Sequence, residues 1–312
     1  MQAIDFDTLK SGGKAAMARA LAQVERAPDA RETLDLLNRA YDEPKAHVIG
    51  ITGPPGVGKS TLTNALITKW RSLGRSVGVI AVDPSSRRTG GALLGDRTRF
   101  TTDPEDQGVY VRSMAARDRL GGLAGLTVSG MVLMRAIYDV VLIETVGVGQ
   151  SETDIVGVAD TVLFCVQPGS GDSLQFIKAG IVEIPHIVAI TKADMGAPAR
   201  RAMADMKGAL NLAGRTGNDP WDIPVLLLSS MHQQGIEELI AAFDQHVSFL
   251  QDNALLTSAR HTQAKQWLIE AVREKFGRVG MQHVAEQLEI TPTDSPFERL
   301  YDISQTFEKA WG

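Results

Sequence analysis

The sequence predicts an α/β fold: a doubly wound, mostly parallel sheet with a helical N-terminal extension and a helical C-terminal arm. Three observations carry this reading. Between His47 and about Phe249, short apolar runs alternate with helical stretches. The runs are near-continuous in Val, Ile and Leu, which suits strands buried on both faces, and the helical spacers suit right-handed crossovers. A glycine-rich loop closes the first run, and outside this region only helical periodicity is found.

In chain order, residues 1–44 read as helices: Met17, Leu21 and Val24 recur at helical spacing, as do Leu34, Leu37 and Tyr41. Pro28 separates the two patterns and Pro44 closes the segment. Strands are predicted at His47–Thr52, Val77–Val82, Val109–Arg112, Asp139–Glu144, Thr161–Val166, Ile187–Thr191 and Val225–Leu228. After Asn253 the alternation stops. Ser258–Phe276, Met281–Leu288 and Pro296–Trp311 read as helices, with breaks near Gly277, Gly280 and Pro292. Such a tail must bury its apolar face on the core or on a second subunit. The expected division is therefore 1–44, 45–252 and 253–312.

Composition narrows the class. The 312 residues are 44% hydrophobic and 22% charged, ordinary for a globular chain with a sizeable core. A net charge of -5, with Lys and Arg dispersed, argues against nucleic acid as the main partner. The single cysteine, Cys165, excludes an internal disulfide framework and a cysteine-rich metal site, and its apolar run makes it a buried small hydrophobe. Met1–Lys10 carries Asp5 and Asp7 and lacks the form of a secretory signal, and no run is long enough to span a bilayer. A cytoplasmic enzyme without a membrane partner is expected.

The chemistry-bearing motif is Gly53-Pro54-Pro55-Gly56-Val57-Gly58-Lys59-Ser60, followed by Thr61. It fits G-x-x-x-x-G-K-[ST], entered by a strand and left by a helical pattern at Leu62–Trp70. Glycines let backbone N–H groups turn inward around phosphate oxygens at the positive end of a helix. Lys59 is expected to reach the β- and γ-phosphates and Ser60 to ligate magnesium. Asp83 ends the second strand, where it could take a magnesium water, polarise the attacking water or merely cap a turn. The segment Thr89–Arg97 reads as a polar loop with a second carboxylate, Asp96. Glu144 ends an apolar strand in the Walker B manner. Beyond it, Gly147 could bring its N–H to the γ-phosphate, and Gln150 could orient water or be an ordinary loop residue.

Base choice is read from Thr191-Lys192-Ala193-Asp194, which looks like the N/T-K-x-D guanine signature. A carboxylate can accept both N1–H and the exocyclic amino group of guanine, and adenine offers neither donor there. Lys192 could lie along the base or against the phosphate loop. Thr191 carries a shorter hydroxyl than the usual Asn and is expected to make fewer contacts. Ser229 and Ser230 fit a loop that closes over the base.

These residues resemble the MeaB/ArgK family of SIMIBI-class GTPases, chaperones of cobalamin-dependent acyl-CoA mutases such as methylmalonyl-CoA mutase. The resemblance runs from about Ser11 to Trp267. It is carried by the stretches Gly53–Thr61, Val82–Phe100, Val111–Thr127, Glu144–Glu152 and Pro168–Glu183. It implies that Asp83 and Asp96 hold acidic magnesium and switch positions, and that Glu144 through Gln150 form switch II. It further implies that Asp172, Gln175 and Lys178 sit in a third switch facing the mutase, and that the C-terminal arm forms a homodimer. Magnesium and GTP/GDP are the implied cofactors. The chain departs from the family pattern at Thr191, His186, Asp118-Arg119 and Phe100. Two other functions are open to the sequence. A nickel metallochaperone GTPase would need a Cys/His station that six scattered histidines do not supply, and a kinase of a transport protein would need an acceptor base.

Overall fold

A computed structural model describes residues 3–83, 100, 103–115, 125–145, 154–169, 183–214 and 220–311. Seven parallel strands form one sheet in the order β3-β2-β4-β1-β5-β6-β7. They are β1 (His47–Thr52), β2 (Val77–Asp83), β3 (Val109–Ala115), β4 (Val140–Thr145), β5 (Thr161–Val166), β6 (Ile187–Ile190) and β7 (Val225–Leu227). Each strand matches a predicted one to within three residues at either end. The largest difference is β3, which runs on through polar Arg112 and Ser113 to pair Ala115 with Asp83 of β2. It lies at the sheet edge, where backbone pairing continues without an apolar side-chain pattern to announce it.

Helices cover both faces. On one side α1 (Phe6–Ser11), α2 (Gly13–Arg26) and α3 (Arg31–Asp42) pack with α5 (Gly125–Ile137). Phe6, Leu9, Met17, Leu21 and Leu37 join Met131, Leu133 and the inward residues of β4 in a single apolar cluster. On the other side α4 (Lys59–Ser72) and α7 (Ile236–Asp252) bring Leu62, Leu66, Trp70, Leu239 and Phe243 onto the central strands. Helix α6 (Ala197–Leu212) covers β6 and β7.

The C-terminal tail packs back on the chain. Helix α8 (Leu255–His283) and helix α9 (Pro296–Trp311) form their own apolar cluster around Leu268, Val272, Ile303 and Phe307. Gly277 has φ 67° and ψ -168°, outside the helical region, so two helical segments meet at a kink where the sequence predicts a break. Arg260 of α8 ties the tail to the sheet. Its Nε and Nη2 donate to the two carboxylate oxygens of Asp160 at 2.8 and 2.7 Å, while the Val48 N–H donates to the same carboxylate at 2.9 Å. Asp160 is fully enclosed, and removing either partner of such a pair costs about 3–5 kcal/mol because the other charge stays buried.

Histidines scattered in sequence come together at the N-terminal edge of the sheet. The Thr161 hydroxyl lies 2.6 Å from His47 Nε2 and 2.7 Å from His246 Nδ1. The His186 and His246 rings are tilted against each other with centroids 4.5 Å apart, and the Val162 N–H donates to His186 Nδ1. Burial pushes His47 down to about 4 and His246 down to about 3. Both rings are thus neutral in the fold but ionise near 6.5 when unfolded, so the unfolded state binds more protons below that pH. Stability is fully present above about pH 6.5 and falls as pH drops toward the folded values. Urea unfolding is expected to show the protein less stable at pH 5 than at pH 7 by about 2 kcal/mol or more. Asp160 and Asp139 are held below the usual carboxylate range and lose their contribution only at lower pH. Equal stability at the two pH values would show that this cluster is not buried neutral.

Candidate nucleotide site

The C-terminal ends of β1, β4, β5 and β6 meet at the opposite edge of the sheet, where parallel α/β sheets bind ligands. The phosphate-loop sequence leaves β1 at Gly53 with φ 136°. A Cβ there would stand 2.3 Å from the Cys165 carbonyl oxygen, so only glycine lets the loop cross β5 so closely. Gly56 and Gly58 have φ of 78° and 99°, and a Cβ on either would meet no atom within 4 Å. The loop is therefore open on that side, and α4 begins directly after it at Lys59.

Lys59 is 6% exposed and folds back over the loop, its Nζ donating to the Gly53 and Pro54 carbonyls at 2.6 and 3.0 Å. Ser60, the next residue, donates its hydroxyl to Glu144 Oε1 at 2.6 Å, and Thr63 donates to Oε2 at 2.8 Å. Glu144 is buried near the end of β4, paired in register with Ile51. The Thr145 hydroxyl donates to the Thr52 hydroxyl at 3.1 Å and joins the two strand ends. Asp83 closes β2 at the same edge. Asp96, Gly147, Gln150, Asp172, Gln175 and Lys178 lie outside the described residues.

The loop after β6 is built onto the phosphate loop. The Thr191 hydroxyl lies 2.7 Å from the Val57 carbonyl and 3.1 Å from the Val166 carbonyl, so the short side chain spans both the phosphate loop and β5. Lys192 takes φ 54°, an uncommon conformation for a residue with a Cβ. Its Nζ donates to the Gly56 carbonyl at 3.1 Å and to Gln167 Oε1 at 2.5 Å. Of the two placements open to Lys192, the structure has the one against the phosphate loop. Asp194 is exposed on the turn Ala193–Met195, and the Ser229 hydroxyl donates to its Oδ1 at 2.7 Å. That hydrogen bond holds the Asp194 carboxyl below the usual carboxylate range. The Ala193 N–H donates to the Leu228 carbonyl at 2.9 Å, which ties the turn to the end of β7, and Ser230 follows half-buried.

Thr63 and Gln167 also contact these site residues, and no sequence motif singles them out. Thr63 follows Ser60 by three residues and shares its helix face, a spacing that could have paired it with the same acid. Gln167 is the first polar residue after the buried strand β5.

The comparisons with known proteins agree with this geometry. A family model described as methylmalonyl-CoA mutase-associated GTPase MeaB matches residues 17–285. The chain belongs to the MeaB family. A Pyrococcus horikoshii protein carried under a GTPase name is 41% identical over 271 residues, covering 85% of this chain and 84% of its own. The mitochondrial methylmalonic aciduria type A homolog of Mus musculus is 36% identical over 261 residues, covering 82% of this chain and 62% of its own. A crystal structure of a LAO/AO transport system kinase superposes with a TM-score of 0.67 at 26% identity, covering 97% of this chain and 96% of that one. This MeaB-family protein is thus a P-loop enzyme that binds and hydrolyses GTP. Among the described residues no helix is long and apolar enough to cross a membrane.

Proposed function

We propose that this GTPase is a chaperone that protects, reloads or reactivates a cobalamin-dependent acyl-CoA mutase, methylmalonyl-CoA mutase or a close relative. The observation that carries the reading is the family match, whose description names association with that mutase, over residues 17–285. Relatives in mouse and worm named for methylmalonic aciduria support it.

In the proposed reaction the loop Gly53–Thr61 wraps the phosphates with its N–H groups. Lys59 turns its ammonium from the Gly53 and Pro54 carbonyls toward the β- and γ-phosphates, where negative charge gathers in the transition state. The hydroxyl of Ser60 and the carboxylate of Glu144 are hard oxygen donors that suit magnesium, with Asp83 and Asp96 as the further acids. Magnesium, when bound, neutralises charge on the phosphate oxygens. Gly147 approaches the γ-phosphate through its backbone, and Gln150 orients the attacking water. Asp194 accepts from guanine, Thr191 and Lys192 hold its loop against the phosphates, and Ser229 and Ser230 close the base side. The C-terminal arm joins two copies, and Asp172, Gln175 and Lys178 report the nucleotide state to the mutase. A nickel-carrier reading has less support, since the described residues hold no group of three His, Cys, Asp or Glu able to bind a metal.

The test is nucleotide affinity and hydrolysis measured with and without each candidate mutase from the same organism. A mutase that prefers one nucleotide state must shift nucleotide affinity by the same factor, expected at about 5-fold or more. Lys178→Ala should leave intrinsic hydrolysis nearly intact and reduce the mutase's effect. If no mutase binds and none changes affinity or rate, the chaperone reading fails and the GTPase remains.

A further inference from the structure

Arg135 of α5 is a buried charge with a poor set of partners. It is 5% exposed, and among the described residues its side chain makes no hydrogen bond or ion pair. Its Nε is enclosed without an acceptor, and its guanidinium lies over the Tyr41 ring, 5.7 Å from the centroid. The acid whose field reaches it is Asp160, and both oxygens of that carboxylate are already taken by Arg260. Two guanidinium groups therefore share one enclosed carboxylate. Burial lowers Arg135 only to about 10, so it keeps its proton at neutral pH. A surplus positive charge is left at the junction of α3, α5, α8 and α9. A buried charge is costly unless it is compensated, and one aromatic face offsets only part of that cost.

Both arginines line a small cavity, open to solvent on one side, with about 20 Å³ of space for water at this junction, and its other walls include Tyr41, Gln263, Trp267 and Phe297. That is above the roughly 10–15 Å³ needed for one water and leaves room for a single small group. A water would fill the space but would leave the charge in place, whereas a monatomic anion does both. Three aromatic residues from three different helices, Tyr41, Trp267 and Phe297, wall the space. We propose that this cavity is an anion site that binds one halide-sized ion, chloride in ordinary salt, with Arg135 as its principal counter-charge. The ion would brace the N-terminal helices and the C-terminal tail against the core, at the sheet edge remote from the nucleotide.

The experiment is a thermal melt of the full chain in sodium chloride against sodium gluconate at constant ionic strength, for the wild type and for Arg135→Met. Mass action predicts that the wild-type melting temperature rises by about 2–3 °C per tenfold increase in chloride above the dissociation constant. Arg135→Met should show no difference between the two salts. A crystal of the wild type grown in bromide should show an anomalous peak in the cavity, a readout that does not depend on the variant folding. A bromide peak beside Arg135 supports the site whether or not Arg135→Met folds. A cavity holding only water, or equal chloride dependence in wild type and variant, overturns it.

Discussion

Replacing Lys59 with alanine is expected to lower kcat for GTP hydrolysis by about 10²–10³-fold while the chain stays folded. The proposed role of Lys59 is electrostatic: an ammonium held beside the phosphates by a preformed loop, in a site where water screens it poorly. Its observed contacts explain why the fold should survive. Nζ donates to two carbonyls of its own loop, one of them on half-exposed Pro54, so water can take its place. The loop's path rests instead on Gly53 against β5 and on the Thr191 hydroxyl at Val57. Lys59→Met, which keeps the stem without the charge, should lose as much rate as Lys59→Ala. A loss in kcat larger than the rise in KM is the signature expected of an interaction made mainly in the transition state. Steady-state hydrolysis by purified variants, with melting curves to verify folding, measures this. Unchanged turnover in a folded Lys59→Ala protein would falsify the assigned role.

Much of the sheet could be read from sequence because buried parallel strands are nearly all apolar and their ends are set by polar residues. That is why β1, β5 and the phosphate loop were legible residue by residue. What was not legible came from contacts between distant segments. Nothing in the sequence near Thr191 indicates that its hydroxyl spans the Val57 and Val166 carbonyls, because the other two segments are 134 and 25 residues away. Those two contacts depend on how closely β5 and the phosphate loop approach β6, which the local sequence does not show. The histidine cluster was hidden for the same reason. His47 begins β1, His186 precedes β6 and His246 lies within α7; these elements are remote in sequence, and only the fold brings them to one edge. Helical periodicity predicts the helices of the tail, but its attachment through Arg260 to Asp160 depends on a charged pair that periodicity does not single out.

Asp194→Asn is expected to weaken GTP binding by about 30- to 1000-fold, corresponding to about 2–4 kcal/mol for the loss of a charge-assisted pair. Guanine presents two donors, N1–H and the exocyclic amino group, and only a carboxylate can accept both. An asparagine accepts one and sets its own N–H group against the other. Xanthine carries a carbonyl in place of the amino group, so the same variant should gain xanthosine triphosphate. The surroundings of Asp194 support this proposed role. Ser229 donates to Oδ1, the Ala193 N–H is fixed to the Leu228 carbonyl, and Lys192 anchors the loop on Gly56 and Gln167. The amide oxygen of the introduced asparagine could still accept from Ser229, so the turn should persist and the change should read as base choice rather than unfolding. The most direct test of the whole site is competition binding of GTP, ATP and xanthosine triphosphate to the wild type and to Asp194→Asn. If Asp194 reads guanine, the wild type should prefer GTP to ATP by about 10²-fold or more, and the variant should exchange this preference for xanthosine triphosphate. Equal binding of ATP and GTP by the wild type, or an unaltered GTP preference in the variant, would contradict it.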